Sequence, residues 1–387
     1  MKKVIVLGCR DTGLGVIRDL AAKNIKILAI PTEVYDFAHF SRFVAGRTER
    51  MSPSKEGAKL LDFLLTIRKD WDGALLLPTN DFSVVFIARN REALLSRFLL
   101  ATQRWETVSG ILNKARLYQQ AQKIGIPTPK VHFPDTLEAM IKKKCDYTYP
   151  CILKPYETHK FFPLFNRKSL VIRNFEELAG KFEMVQKNNL SVMVSEIIPG
   201  ADDCIYNYIS YIDRNGDLAA ELCMQKLRQH PPGFGMARVS KTIPIIGEIR
   251  NQSLALLKSF SYHGFSSAEF KFDKRDNLYK LMEINVRPEL QDRLFGAAGI
   301  NFPYMTYLDH SEGIKYVPQA YKTDIYWIDL IRDLHALFRW RKMEHWSCSD
   351  YLTPYLKKKV FCTPLFDDPV PFVVKCLILI RQTLKGI

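Results

Sequence analysis

Hydrophobic and polar positions divide the chain into three textures. The first begins with a β-branched run, Lys3–Leu7, that stops at Gly8. Gly13 and Gly15 follow, then an amphipathic stretch over 16–22 and a second apolar run over 25–30. Strand, glycine turn, helix and strand in that order predict a parallel β-α-β unit. Helical spacing over 60–67, a strand over 73–77, the loop Pro78-Thr79-Asn80-Asp81 at its carboxyl end and apolar residues over 94–100 complete the pattern. Residues 1–104 are therefore expected to form a small, doubly wound parallel α/β domain.

In the second texture, Asn113 caps a predicted helix over 113–124, Gly125 ends it, and Pro127 and Pro129 fix the exit. Strands are expected at 151–153, Leu170–Ile172 and 192–198, the last broken by Pro199-Gly200, with a helix over 176–185. Runs at 204–212 and 218–223 flank Asp213-Arg214-Asn215-Gly216, and runs at 266–273 and 278–284 flank Lys274-Arg275-Asp276-Asn277. Both read as antiparallel hairpins. An α+β body in two lobes, 105–190 and 191–313, is the expected arrangement.

After about Gly313 the texture changes again. A helix is expected over 326–340 and a basic knot stands at Lys357-Lys358-Lys359. An apolar helix over 372–383 carries Lys375, Arg381 and Lys385 at or near it. Residues 314–387 are expected to be a helical appendage, either packed on the body or lying against anionic lipid, where apolar area and nearby cations both contribute.

Composition narrows the class. A chain of 387 residues is too long for one ordinary core. Hydrophobic residues at 47% and charged ones at 25% are ordinary for a soluble globular protein. No apolar stretch approaches the ~20 residues of a membrane span, and the first apolar run is too short for a secretion signal. The eight cysteines never form a C-x-x-C pair, so reduced thiols in a cytoplasmic protein are expected and a zinc site is not. The net charge of +15 suits nucleotides, an anionic membrane surface or nucleic acid. The basic residues are spread along the chain without an RNA-recognition or zinc-finger signature, so no nucleic-acid partner is expected.

The residues that carry chemistry cluster late. Residues two apart in a strand face one side, which gathers Glu283, Asn285 and Arg287, and Glu269 on the preceding strand reaches the same patch. Two carboxylates and an amide oxygen suit Mg²⁺, which shares phosphate oxygens rather than taking an all-protein cage. Arg287 beside them can hold a phosphoryl oxygen bidentately. A salt-bridged, exposed hairpin face would explain any one of these residues, but less readily four that converge. Lys154 ends a buried strand before Pro155, a place for a phosphate ligand or a solvated charge. Lys114 starts a helix, whose N-terminus already favours anions. The turn Gly8-Cys9-Arg10-Asp11-Thr12-Gly13-Leu14-Gly15 lacks the G-x-G-x-x-G spacing and reads as a tight turn that needs glycine, although a small ligand at the strand's carboxyl end stays open.

Around these residues, residues 1–312 resemble the ATP-grasp enzymes, in particular carbamoyl-phosphate-synthetase-like carboxylate–amine ligases such as D-aspartate ligases. Asn113-Lys114 with Gly125-Ile126-Pro127-Thr128-Pro129 resembles that family's opening helix and its exit. Ile152-Leu153-Lys154-Pro155 resembles its second lysine strand, Ser195-Glu196-Ile197-Ile198-Pro199-Gly200 its hinge strand, and Glu269 with Glu283-x-Asn285-x-Arg287 its metal and phosphate cluster. The resemblance implies two lobes clasping ATP. Lys114 and Lys154 would bind phosphates, Glu196 and the backbone near Ile198 the adenine, and Asp203 the ribose. Glu269, Glu283 and Asn285 would hold Mg²⁺, with Mn²⁺ as an alternative. Gln225-Lys226-Leu227-Arg228-Gln229 with Pro231-Pro232-Gly233 is similar to a segment of an envelope-polysaccharide-associated branch. Its alternation turns Lys226 and Arg228 together toward the γ-phosphate or the acceptor carboxylate.

The implied activity is ligation of a small-molecule carboxylate to an amine through an acyl phosphate, in the cytoplasm or at the inner face of the membrane, with a homo-oligomer left open. The sequence departs from the family in lacking glycine between Lys154 and Gly180. There residues 156–168 are aromatic and basic, with His159, Lys160, Arg167 and Lys168. Pro288-Glu289 after Arg287 is also bulkier than usual. Two other classes compete: an NAD(P)-dependent reductase built on the first domain, with Glu33 as its acidic residue, and a non-catalytic nucleotide-binding protein on the same fold.

Overall fold

A computed structural model describes residues 2–384 apart from 168, 232, 234, 314–319, 341–345 and 365. Lys168, Pro232 and Lys385, singled out in the sequence, lie outside the described residues.

Three sheets carry the chain. The first has five parallel strands in the order Gly46–Arg47, Lys26–Ile30, Lys3–Leu7, Leu75–Pro78, Leu99–Leu100. Its central strand is apolar and buried from Val4 to Leu7 because both faces are covered. Val4 and Val6 pack with Leu14, Ile17 and Leu20, while Ile5 and Leu7 pack with Leu60 and Leu64. Gly8, at φ +105°, ends that strand where a Cβ would stand 2.4 Å from the Thr79 hydroxyl, so the turn requires glycine.

The second sheet is antiparallel, in the order Val131–His132, Val192–Glu196, Cys151–Pro155, Leu170–Ile172. The third has seven strands: Leu278–Asn285, Gly264–Asp273, Ile205–Ile212, Leu218–His230, Met236–Ile243, Tyr326–Ile328 and Lys359–Phe361. Both expected hairpins are present in it, with Gly216 and Asn277 supplying the positive φ of the two turns.

The segment after 313 contains strands as well as helices. The run expected as a helix over 326–340 begins as the strand Tyr326–Ile328, which pairs with Val239–Lys241, and only Leu330–Trp340 is helical. Asp329 divides the two, its carboxylate accepting from the Arg332 amide as a helix N-cap does. Lys359–Phe361 then joins in parallel, a non-local pairing that no local pattern announces.

Two buried ion clusters tie this segment down. In one, the fully buried Asp333 accepts from Arg238 Nη1 at 2.9 Å and from the Tyr355 hydroxyl at 2.5 Å, with Arg228 Nε 3.4 Å away. Replacing Asp333 by Ala removes the carboxylate that faces two buried guanidinium groups, and a loss of about 3–5 kcal/mol in unfolding free energy is expected. A urea midpoint that moved by less than the scatter between replicates would show the cluster to be neutral. In the other, Lys375 Nζ donates to Asp11 at 2.6 Å and to Asp329 at 3.1 and 3.2 Å, and Arg332 also bonds Asp11 at 3.1 Å.

Candidate active site

A cavity of about 410 Å³ lies where the three sheets meet. The second sheet supplies Ile152, Lys154 and Glu196, and the third supplies Ile205, Asn207, Lys226, Glu269, Glu283 and Asn285. Loops at the carboxyl ends of the first-domain strands close one end with Arg10, Glu33, Thr79 and Asn80, the position that open parallel sheets favour for ligands.

Nine of the eleven residues singled out from the sequence line this one cavity: Lys114, Lys154, Glu196, Ile198, Lys226, Glu269, Glu283, Asn285 and Arg287. Glu269 and Glu283 stand directly opposite each other on paired strands. Like charges so placed repel, and each is met by a lysine. Lys226 Nζ lies 2.5 Å from Glu269 Oε2 and Lys114 Nζ lies 2.8 Å from Glu283 Oε2. Asn285 Nδ2 donates to Glu289 Oε1 at 2.9 Å, while its own Oδ1 accepts from Arg287 at 3.3 Å. Arg287 Nε also donates to Asp81 Oδ1 at 2.7 Å, which joins the late hairpin to the first domain.

Lys154 has a different environment. Its Nζ lies 6.0 Å from the centroid of the Tyr118 ring. Burial pushes its pKa down to about 8, Lys114 adds to the effect, and Glu283 and Glu269 oppose it. Burial also works against the charge on Lys114 and Lys226, but the carboxylates facing them win and both pKa values are raised. Burial raises Glu289 above the usual carboxylate range, against the pull of Arg287 and Lys226.

Two candidates do not line the cavity. Arg228 was expected beside Lys226 on the strength of strand alternation. The pairing with the next strand is irregular between Lys226, Arg228 and Gln229, and a bulge exchanges the faces. Gln229 lines the cavity instead. Arg228 is buried against Asp333 and stacks over the Tyr351 ring, its guanidinium carbon 4.1 Å from the centroid. Asp203 sits in a short 3-10 turn, Asp202–Cys204, where its carbonyl accepts from Gln225. Its neighbour Asp202 does a clearer structural job, accepting from the Gln229 and Gly233 amides and holding the turn after the long strand. The Glu196 carboxylate is also engaged, by the Lys130 amide at 2.8 Å and by Arg275 at 2.8 Å.

The glycine-free stretch after Lys154 forms a helix, Thr158–Phe165, with Thr158 on the cavity wall and His159 and Lys160 facing Glu157. Sequence reasoning missed Asn207, Lys271, Glu289 and Arg332 as cavity residues. Asn207 was detectable as the one amide in a strand whose other residues, Ser210 apart, are apolar or aromatic. Among the described residues, one group of three potential metal ligands stands apart, Asp11, Asp329 and Cys362, and the Lys375 ammonium already fills it.

The carboxylates, the amide and the lysines suit a divalent cation with phosphate oxygens. The acids stand opposite each other on neighbouring strands and their present counterions are flexible ammonium groups. No family model matches the chain. D-aspartate ligase of Enterococcus faecium is 22% identical over 261 residues, which span 65% of this chain and 62% of that protein. Among solved structures, L-amino acid ligase from Bacillus licheniformis superposes with a TM-score of 0.60 at 15% identity, over 83% of this chain and 75% of that one. An ADP complex of N5-carboxyaminoimidazole ribonucleotide synthetase gives 0.65 at 13%, over 88% and 85%. The biotin carboxylase domain of Hydrogenobacter thermophilus 2-oxoglutarate carboxylase, with MgADP, gives 0.64 at 17%, over 84% and 73%. The chain shares the fold of these solved structures, a mixed α/β architecture consistent with the ATP-grasp fold.

Proposed function

We propose that the chain is an ADP-forming ligase that uses ATP and Mg²⁺ to join a small-molecule carboxylate to an amine. The observation that carries this reading is the meeting of the paired acids Glu269 and Glu283 with Lys154 around one cavity. Likeness to D-aspartate ligase and L-amino acid ligase supports it from outside.

The chemistry follows from charge. A carboxylate cannot expel oxide, so its oxygen first attacks the γ-phosphorus of ATP and ADP leaves. The amine nitrogen then attacks the acyl carbon, phosphate leaves and the nitrogen loses a proton. Negative charge spreads over the phosphoryl oxygens during transfer, and cations aimed there supply most of the acceleration. Lys114 and Lys154 would hold the phosphates, and Arg287 and Lys226 the transferring group. Glu269, Glu283 and Asn285 would hold Mg²⁺, which would supply charge neutralisation at the phosphates. Glu196 and the backbone near Ile198 would receive the adenine. Asp203 would reach the ribose only if its short turn moves toward the cavity.

The same reading places the protein in the cytoplasm or at the inner face of the membrane, and surface-polysaccharide synthesis is a setting that would supply carboxylate and amine sugars. ADP release is the direct test. It should require Mg²⁺, one carboxylate and one amine together, with a mass-spectrometric product equal to their sum less water. Nucleotide binding without turnover across amino-acid and uronic-acid panels would make the chain a non-catalytic binder instead.

A further inference from the structure

The C-terminal helix Pro369–Leu384 has two unlike faces. Its inner face carries Lys375, sealed among Asp11, Asp329 and Thr363, with Val374 and Ile378 packed on the core of the first domain. On the other side Val370, Val373, Leu377 and Ile380 are 50%, 52%, 60% and 56% exposed. At 100° per residue these four fall on an arc of roughly 80°, on the side away from Lys375. Phe366, just before the helix, is 97% exposed.

Charge is sorted on the same plan. The helix contains no acidic residue. Of the two acids that precede it, Asp367 is exposed and paired with Arg18, while Asp368 is buried and accepts from the Ser41 hydroxyl at 2.5 Å and the Arg42 amide at 3.1 Å. Arg381, one residue after Ile380, is exposed beside the stripe, and the whole chain carries +15. The outward surface of this helix is thus apolar with one exposed cation, Arg381, at its edge.

We propose that this face docks on an anionic lipid surface, with the helix lying in the plane of the interface. Its 16 residues span about 24 Å, short of the ~30 Å hydrocarbon core, and no helix among the described residues is long and apolar enough to cross a membrane. An apolar stripe with positive charge at its edge is the composition that settles at the boundary of headgroups and acyl chains. A second copy is the competing occupant, and it would bring two chains of +15 together face to face. The inner lysine gives the docking a consequence. Lys375 bonds Asp11, which lines the cavity, so the cleft is held at a fixed attitude to the lipid. The proposal stands independently of the ligase reading.

The test uses the full chain, sedimented with vesicles of phosphatidylcholine alone or mixed with phosphatidylglycerol. Binding is expected to be at least about tenfold stronger on the mixed vesicles and to weaken as salt is added. The double variant Val373→Asp with Leu377→Asp should abolish it while leaving the thermal unfolding midpoint in place, since both side chains are exposed. Arg381→Glu should weaken binding to the mixed vesicles only. Equal sedimentation of the double variant and the parent would overturn the proposal. So would a lipid-independent dimer in sedimentation velocity that the double variant dissolves, since the stripe would then be covered by a second copy.

Discussion

Glu283→Gln is expected to lower kcat for ADP release by on the order of 10³-fold while leaving the unfolding midpoint within a few degrees. The substitution keeps the shape of the side chain and removes one negative charge. That charge does two things. It faces Glu269 across the strand pair and, on the proposed reading, would be a hard-oxygen donor to a divalent cation at the phosphates. It also holds Lys114 Nζ at 2.8 Å, and a neutral amide holds an ammonium group less firmly. The defect should survive saturating ATP and Mg²⁺, because the amide that replaces the carboxylate still offers an oxygen but no longer balances the cation's charge. A kcat within tenfold of the parent would remove Glu283 from the metal set and leave the paired acids as a structural hairpin face.

Much of this site was readable in the chain, for a physical reason that also explains the failures. The late hairpin is written in period two with a turn at each end, so Glu269, Glu283, Asn285 and Arg287 could be gathered on one side from spacing alone. The same rule failed at Arg228, because a bulge depends on how the neighbouring strand is paired and leaves no mark in the residues themselves. Its true partner, Asp333, lies more than a hundred residues away, beyond any local signal. Tyr326–Ile328 misled in another way: three apolar residues before a helix extend the helical pattern, and only pairing with Val239–Lys241 makes them a strand. From sequence Lys375 is one cation of an apolar helix, and burial against Asp11 and Asp329 gives it a different job. Contacts between segments distant in sequence decided each of these.

The pH dependence of nucleotide use offers the other large effect. Lys154 has a pKa near 8 in the nucleotide-free protein, through burial and the adjacent Lys114. It is charged below that value and neutral above it, so kcat/KM for ATP should fall about tenfold per pH unit as pH rises beyond 8. Bound polyphosphate favours the ammonium form, which raises the pKa in the complex. The break in kcat should therefore appear at higher pH than the break in kcat/KM. Proton uptake must accompany binding: near pH 8 about half a proton should enter per nucleotide, measurable by calorimetry in buffers of different ionisation enthalpy. Folding obeys the same linkage with the opposite preference. The folded pKa lies below the ordinary 10.5, so the cost of burying the charged lysine is present in full below pH 8 and is relieved as pH climbs through 8 toward 10.5. Lys154→Met should thus lower kcat/KM by about 10²–10³-fold at neutral pH, erase the alkaline break and modestly raise the unfolding midpoint at pH 7. Were the break near pH 8 to persist in Lys154→Met, another group would set it, and Lys154 would not be the lysine that meets the phosphates.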